Sequence, residues 1–349
     1  MAMAVEIHGH LRWRVALAIC LWLVGSGASC AGAPSRVATS VCAQPAAQPV
    51  ALVSIPGNPF QAIPTADGCH VFVSVAGLLE PSDPRRPPRP DASTGGVAVV
   101  SREAGEPSLT RMVPLEGSPW GMALTHDGLL LIVASDDRVA FLDPARLIAG
   151  TSDAVLGYLN DAPAAGRFYA NVTPDDRWLF LSDESAKSIS VVDLVKARAS
   201  GFDTSAVIGR IPTGRAPIAL TFSMDHRFLY TTSQVAPDTS GWPAVCKAPG
   251  SEADPQASSY AQGAILVVDV ARATSDPANA VVGAVPAGCN PVRLATSPAG
   301  DVAYVTARTD NAILAFDTES CWRLLLTNFG SKNLAVIDIA RLPLEPRKR

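Results

Sequence analysis

The stretch GDVAYVTARTDNAILAFD, residues 300–317, decides the fold because the chain repeats its pattern several times. Similar sequence patterns occur in RWLFLSDESAKSISVVD at 177–193, in HRFLYTTS at 226–233 with GAILVVD at 263–269, and in WRLLLTNFGSKNLAVID at 322–338. Each version holds apolar runs rich in Val, Leu and Tyr that are separated by turn-forming residues. This pattern predicts β-hairpins.

A longer unit surrounds each hairpin. Five units begin near residues 57, 117, 165, 215 and 289, and a third apolar segment, usually ending in Asp, follows each hairpin. Asp143 and Asp193 lie 50 residues apart, and Asp269 and Asp317 lie 48 apart. A fourth segment precedes the next unit. Four short strands at this period predict the blades of an all-β propeller, and we expect the recurring Asp side chains to serve the turns.

The segments VAYVTARTDNAILAFD and LLLTNFGSKNLAVID resemble YVTN β-propeller repeats, which are related to lactonase-like and YncE-type propellers of the WD40-like superfamily. The resemblance covers most of residues 50–340. It implies a seven-bladed plan and, as one activity, lactone hydrolysis in the central channel. Because one fold hosts many activities, it is a stronger indication of fold than of function.

The blade count departs from that plan near the C-terminus. Asp317 and Asp338 are only 21 residues apart, so the sequence predicts five nearly whole blades and one incomplete closing blade. We expect residues 50–57 to form a fourth strand that pairs with the C-terminal strands and closes the ring. The expected organisation is a signal peptide at 1–29, a linker at 30–49, the propeller at 50–341 and a tail at 342–349.

The N-terminus predicts export. Arg12 and Arg14 precede an apolar run at 15–28 that ends in small residues, as in secretory signal peptides, and the run is shorter than the roughly 20 residues of a membrane span. Cys30 also fits a lipoprotein, so we expect a periplasmic or extracellular protein with membrane contact only through a lipid anchor. The net charge of −4 gives no electrostatic reason to bind nucleic acid.

Cysteines beyond the leader indicate disulfides in an oxidising compartment. Besides Cys30 they are Cys42, Cys69, Cys246, Cys289 and Cys321. A Cys246–Cys289 bond would attach a long loop to the body of the domain. Four cysteines allow three pairings, and the sequence leaves the choice open.

The innermost strands supply the candidate ligand site. One phase of these strands is apolar and is expected to pack between blades: Phe60, Trp120, Phe168, Ile218 and Val292. The other phase is mixed: Gln61, Gly121, Tyr169, Ala219 and Arg293. Gln61, Tyr169 and Arg293 are therefore the predicted polar contacts in the channel.

Two long loops, residues 76–95 and 234–263, predict a partner-binding face. Its candidate contacts are Arg85, Arg86, Arg89 and Trp242. The function expected first is that of an exported, non-enzymatic binding or scaffold protein without a cofactor, acting through this face on a protein, peptide or small ligand.

Two rival interpretations remain open. A lactonase would need a cation, such as Arg293, and a base, for which Glu80 and Asp310 are the candidates. His70, His126 and His226 fall at turns of different blades, so we expect no joint metal site, and the nucleophile, zinc-protease and nucleotide motifs do not occur in the sequence. The other rival is a truncated, nonfunctional paralogue.

Overall fold

Each predicted unit folds into an antiparallel sheet, here called a blade, with four strands in the first four blades and five in the last. Together the blades make an all-β, propeller-like fold. The structure is a computed structural model that describes residues 42, 51–77, 95–102, 106–135, 138–160, 167–248, 251, 254–318, 323–328 and 333–338. Within these ranges no helix has the length and apolar composition that crossing a membrane requires. The predicted leader, linker, C-terminal tail and Cys30 lie outside the described residues.

Blade 1 contains β1 (Asn58–Pro64), β2 (His70–Ala76), β3 (Gly95–Ser101) and β4 (Ser108–Leu115). Blade 2 contains β5 (Pro119–Leu124), β6 (Leu131–Ser135), β7 (Val139–Leu142) and β8 (Val155–Leu159). Blade 3 contains β9 (Arg167–Val172), β10 (Trp178–Asp183), β11 (Ser188–Asp193) and β12 (Val207–Pro212).

Blade 4 contains β13 (Arg215–Phe222), β14 (Phe228–Val235), β17 (Ala264–Asp269) and β18 (Val281–Pro286). The loop between β14 and β17 forms its own two-stranded ribbon of β15 (Ala244–Lys247) and β16 (Ser259–Ala261). Blade 5 contains β19 (Pro291–Thr296), β20 (Val302–Ala307), β21 (Ala312–Asp317), β22 (Arg323–Asn328) and β23 (Asn333–Asp338).

The Asp that ends the third strand starts a short helix in three blades. Asp143, Asp193 and Asp269 accept hydrogen bonds from the backbone N–H three residues later, at 2.8 to 3.1 Å. They cap α1 (Pro144–Ala149), α2 (Leu194–Ala199) and α3 (Val270–Ala273). This is the expected turn chemistry in the form of helix N-caps.

The turn between the first two strands repeats a hydroxyl–carboxylate pair. Thr65 donates to Asp67 at 2.6 Å, and Asp67 also accepts from the N–H of Cys69 at 2.9 Å. Equivalent pairs are Thr125–Asp127, Thr173–Asp175, Ser223–Asp225 and Ser297–Asp301. The same local chemistry therefore fixes all five hairpins.

Neighbouring blades bury their apolar faces against each other. Phe72, Val97 and Val99 of blade 1 pack with Leu131 and Leu142 of blade 2. The same arrangement joins blade 2 to blade 3, blade 3 to blade 4, and blade 4 to blade 5. The core thus consists of successive layers between sheets, and the first strand of each blade is left to line the axis.

The two C-terminal strands do not form a closing blade of their own. β22 pairs with β21, and β23 pairs with β22, so both extend blade 5. An edge strand has unpaired backbone groups that the next strand along the chain can satisfy, and only five residues separate β21 from β22. The described residues form these five blades and no sixth one.

The prediction of a ring-closing strand at residues 50–57 is also wrong. Residues 51–57 contain no strand. Instead Val53 and Ile55 pack against the apolar face of blade 1 formed by Val73, Val75, Ala98 and Val100. The segment buries its apolar side chains against a sheet face, and its backbone does not pair with a strand edge.

The outer face of blade 5 remains open. Tyr304 is 46% exposed and Ile313 49% exposed. The residues at the same two positions of blades 1 to 4 are at most 6% exposed, because the next blade covers them: Phe72, Ile132, Phe180 and Tyr230, and Val97, Val139, Ile189 and Ile265.

Two disulfides attach segments to the domain. Cys246 bonds Cys289, one of the pairings that the sequence left open, and joins the β15–β16 ribbon to the start of blade 5. Cys42 bonds Cys69 and holds the N-terminal segment at the first turn of blade 1. Cys321 lies outside the described residues.

Candidate functional site

A β-bulge interrupts the innermost strand pair of every blade. The register shifts at Pro59–Gln61, Pro119–Met122, Leu181–Asp183, Pro217–Leu220 and Pro291–Leu294. In four blades a hydroxyl on the second strand accepts the N–H that the bulge frees, at 3.0 to 3.1 Å: Ser74, Ser182, Thr232 and Thr306. Because a bulge redirects side chains, these shifts decide what faces the axis.

The bulges of three blades bring the predicted ligand residues together. Gln61 from blade 1, Tyr169 from blade 3 and Arg293 from blade 5 line one central cavity of about 390 Å³. This volume falls within the range of small-molecule sites. The structure thus gathers all three residues, and their role in binding stays a prediction.

Arg293 occupies the middle of this cluster. Its guanidinium carbon lies 4.7 Å from the centre of the Tyr169 ring and 5.2 Å from that of Phe60, both within cation–π range. Phe60 also meets Trp120 edge to face at 5.2 Å. The apolar strand phase predicted that Phe60 packs between neighbouring blades. Phe60 also contacts the guanidinium of Arg293, a residue that lines the cavity.

Besides Arg293, the cavity is lined by polar side chains that bond to neighbouring blades, and Gln61 is one of them. Gln61 donates to the carbonyl of Met122 at 3.1 Å and accepts from its N–H at 2.8 Å. Asn171 donates to the carbonyl of Leu220 at 3.0 Å, and Thr221 to that of Leu294 at 3.1 Å. These amides and hydroxyls are committed to adjacent strands.

His126 lines the same cavity at its other end, in the turn after β5. Its Nδ1 lies 2.8 Å from a carboxylate oxygen of Asp176 in blade 3. Asp176 also accepts the N–H groups of His126 and Asp127, at 2.7 and 2.9 Å. A turn histidine is thereby oriented by a carboxylate, an arrangement that the repeat pattern did not indicate.

Of the remaining candidates, Trp242 and Asp310 are described, and neither lines the cavity. Arg85, Arg86, Arg89 and Glu80 fall outside the described residues. Trp242 is half-buried and packs against Ala236, Ala264 and Leu266. The Asp310 carboxylate accepts the N–H of Cys289 at 2.7 Å, so it stabilises the entry loop of blade 5.

The two other histidines expected at turns lie in different blades. His70 is the first residue of β2 and is buried, whereas His226 lies in the turn before β14. Within the described ranges no three His, Cys, Asp or Glu side chains are grouped to hold a metal ion.

Glu184, which follows β10, was not singled out from the sequence. Burial raises the pKa of its carboxyl, and the charge of Arg308 in blade 5 acts in the opposite direction. Blades 3 and 5 therefore interact electrostatically through Glu184 and Arg308, in addition to the contact between Tyr169 and Arg293. The sequence signal for the cavity that could have been used is the recurring Ser or Thr that supports four of the five bulges.

Comparisons with known proteins support the architecture. A functionally unknown protein from Desulfotomaculum acetoxidans is 11% identical, with a TM-score of 0.51 over 81% of this chain and 70% of that one. A proposed 6-phosphogluconolactonase from Bacteroides fragilis is 13% identical, with a TM-score of 0.51 over 79% of this chain and 68% of that one. At these identities the likeness concerns the fold. No protein-family model matches the sequence, and no curated protein does.

Proposed function

We propose that this chain is an exported propeller of the lactonase-like, YVTN-repeat type that binds a small molecule in its central cavity. One observation carries the proposal: bulges in three non-adjacent blades bring Gln61, Tyr169 and Arg293 to a single cavity of about 390 Å³. Two disulfides accord with an oxidising compartment. Binding through the loop-bearing face remains a prediction from the sequence.

The test is a thermal melt of the full chain against a library of small organic acids, phosphates, sugars and lactones. A ligand that binds only the folded state raises the melting temperature, by an amount set by its concentration and Kd. Ala219→Phe, which fills the cavity from blade 4, should abolish the shift. Leu124→Trp fills it from blade 2 and serves if the first variant is unstable. A shift that both variants retain would place binding elsewhere.

A second candidate is lactone hydrolysis, favoured by His126, which lines the cavity and contacts the carboxylate of Asp176 outside the lining. The imidazole would take a proton from water as the oxygen attacks the lactone carbonyl, and would return it to the ring oxygen that leaves. His126 is five residues beyond Gly121, which matches Arg293 in the repeat, and it lies past the end of β5, so the two side chains start at different levels of the cavity. A small lactone would therefore react at the His126 end.

Proton release from D-glucono-δ-lactone tests this candidate. We expect His126→Gln to lower the catalysed rate at least tenfold, and Asp176→Asn to lower it less. Turnover that is unchanged in His126→Gln, or equal to the rate without protein, would exclude the activity.

A further inference from the structure

The central cavity is positively charged in a chain whose net charge is −4. Among the described residues, its lining includes Arg293 but no Asp or Glu. The ion pairs of the described residues form elsewhere and do not include Arg293. At the level of Arg293, the described part of the lining therefore holds a cation without a neutralising carboxylate.

The surroundings of Arg293 leave its hydrogen-bond donors available. The rings of Tyr169 and Phe60 interact with the guanidinium through their faces, and a ring face is no substitute for an oxygen acceptor. Among the described residues its side chain makes no hydrogen bond, although its backbone N–H donates to Thr306 at 3.0 Å. Burial lowers the pKa of the guanidinium, but arginine stays charged at neutral pH.

Tyr169, whose ring contacts the guanidinium, carries a second unpaired donor. Its hydroxyl oxygen is buried and has no hydrogen-bond partner among the described residues. The other polar side chains near Arg293, namely Gln61, Asn171 and Thr221, already bond to backbone groups. Among the described polar side chains of the lining at this level, the Arg293 guanidinium is therefore the charged donor that still lacks an oxygen acceptor.

We infer that the ligand is a small organic oxyanion, a carboxylate or a phosphate, whose charged group binds the Arg293 guanidinium. The planar guanidinium matches both groups with two parallel hydrogen bonds. Ile63, Leu124 and Leu220 on the walls suit a ligand whose remaining part is at least partly apolar. This inference rests on the proposed function, since it names the ligand class of the same cavity.

The test uses calorimetric titration of the full chain with charged and neutral partners of equal size. The pairs are benzoate with benzyl alcohol, phenyl phosphate with phenol, and gluconate with sorbitol. We expect at least one anion to bind tenfold or more tightly than its neutral partner. Comparing the first two pairs shows whether the site prefers a carboxylate or a phosphate. The third pair shows whether the uncharged part of the ligand can be polar.

Variants locate the charge preference. Arg293→Gln should abolish it, and Arg293→Lys should retain part of it because a point charge remains. Arg177→Gln is the matched control, since Arg177 also lies over an aromatic ring, that of Trp178 at 4.9 Å, but outside the cavity. It should bind as the unmodified chain does.

The outcomes separate this inference from the proposal beneath it. A panel in which no anion binds more tightly than its neutral partner overturns the inference, as does a preference that survives in Arg293→Gln. If neutral compounds bind and Ala219→Phe or Leu124→Trp removes that binding, the cavity function stands and only the anion assignment fails. Binding that both cavity-filling variants retain refutes both.

Discussion

The guanidinium carbon of Arg293 lies 4.7 Å from the centre of the Tyr169 ring, although the two residues belong to blades 5 and 3. Both side chains start from bulged inner strands, and in both cases a hydroxyl on the second strand, Thr306 or Ser182, accepts the freed N–H. The contact across the axis thus originates in a backbone irregularity that each blade repeats.

Replacing Tyr169 separates the role of its ring from that of its hydroxyl. Tyr169→Phe keeps the ring under Arg293 and removes a buried hydroxyl without a partner, so we expect the free energy of unfolding to stay equal or rise by up to about 1 kcal/mol. Tyr169→Leu removes the ring and should weaken anion binding about fivefold or more. Urea denaturation and calorimetry measure the two effects. A clear loss of stability in Tyr169→Phe would show that the hydroxyl makes a hydrogen bond in the folded protein, contrary to the structure.

Gln61→Leu should destabilise the joint between blades 1 and 2. The amide of Gln61 bonds both backbone groups of Met122, which is 1% exposed. Leaving those groups unpaired costs about 2 to 4 kcal/mol in total. Urea denaturation measures the loss, and Gln256→Leu, at an exposed position, is the control, with a change within about 0.5 kcal/mol. Equal effects of the two variants would argue against the inter-blade bond.

Acid should weaken the first hairpin turn. The hydroxyl of Thr65 and the N–H of Cys69 lower the pKa of Asp67 below its ordinary value of 3.8. A lowered folded-state pKa contributes stability that is complete above the unfolded-state value and is lost as the pH falls below 3.8 through the folded-state pKa. Thr65→Val should therefore be less stable at pH 7, with a difference that narrows below pH 3.8, while Thr65→Ser keeps the pH dependence. Denaturation at several pH values would refute this if the difference stayed constant.

The Cys246–Cys289 bond should stabilise the domain measurably. It closes a loop with a sequence separation of 43, for which chain entropy predicts about 4 kcal/mol. The double variant Cys246→Ser, Cys289→Ser should lose most of this in guanidinium denaturation under oxidising conditions. Ser258→Ala, at an exposed position of the same loop, should change little. Similar midpoints for the double variant and this control would show that the bond contributes little.

The open face of blade 5 should promote self-association. Tyr304 and Ile313 are about half exposed where the equivalent residues of the other blades are buried, and exposed apolar sheet faces favour aggregation. Light scattering of the full chain should show an apparent mass that rises with concentration, and Ile313→Thr should reduce the rise. Leu129→Thr alters a residue that is 63% exposed in a turn and should not. A concentration-independent monomer would contradict the expectation.

The sequence predicted the repeat because its determinants are local. Hairpin turns such as Thr65–Asp67 and capping residues such as Asp193 recur at a fixed spacing and act within a few residues. The C-terminal strands were predicted as strands but assigned to a closing blade, because RLLLTN fits a second or a fourth strand equally well. Pairing with the adjacent free edge of β21 decided between them.

The site was predicted only in part, and for a physical reason. Strand phase indicated that Gln61, Tyr169 and Arg293 face the channel, since this depends on alternation along one strand. The stacking of Arg293 on Phe60 and the His126–Asp176 pair join residues of different blades. These contacts depend on how the blades are arranged around the axis, which a repeat pattern does not encode.

The most direct test of the central claim is a crystal structure of the full chain soaked with 4-bromobenzoate, using anomalous scattering to locate the bromine. The account predicts bromine in the central cavity and the carboxylate within about 3 Å of the Arg293 guanidinium. Bromine bound on the loop-bearing face or in the cleft lined by Trp178 and His226, with none in the central cavity, would contradict it.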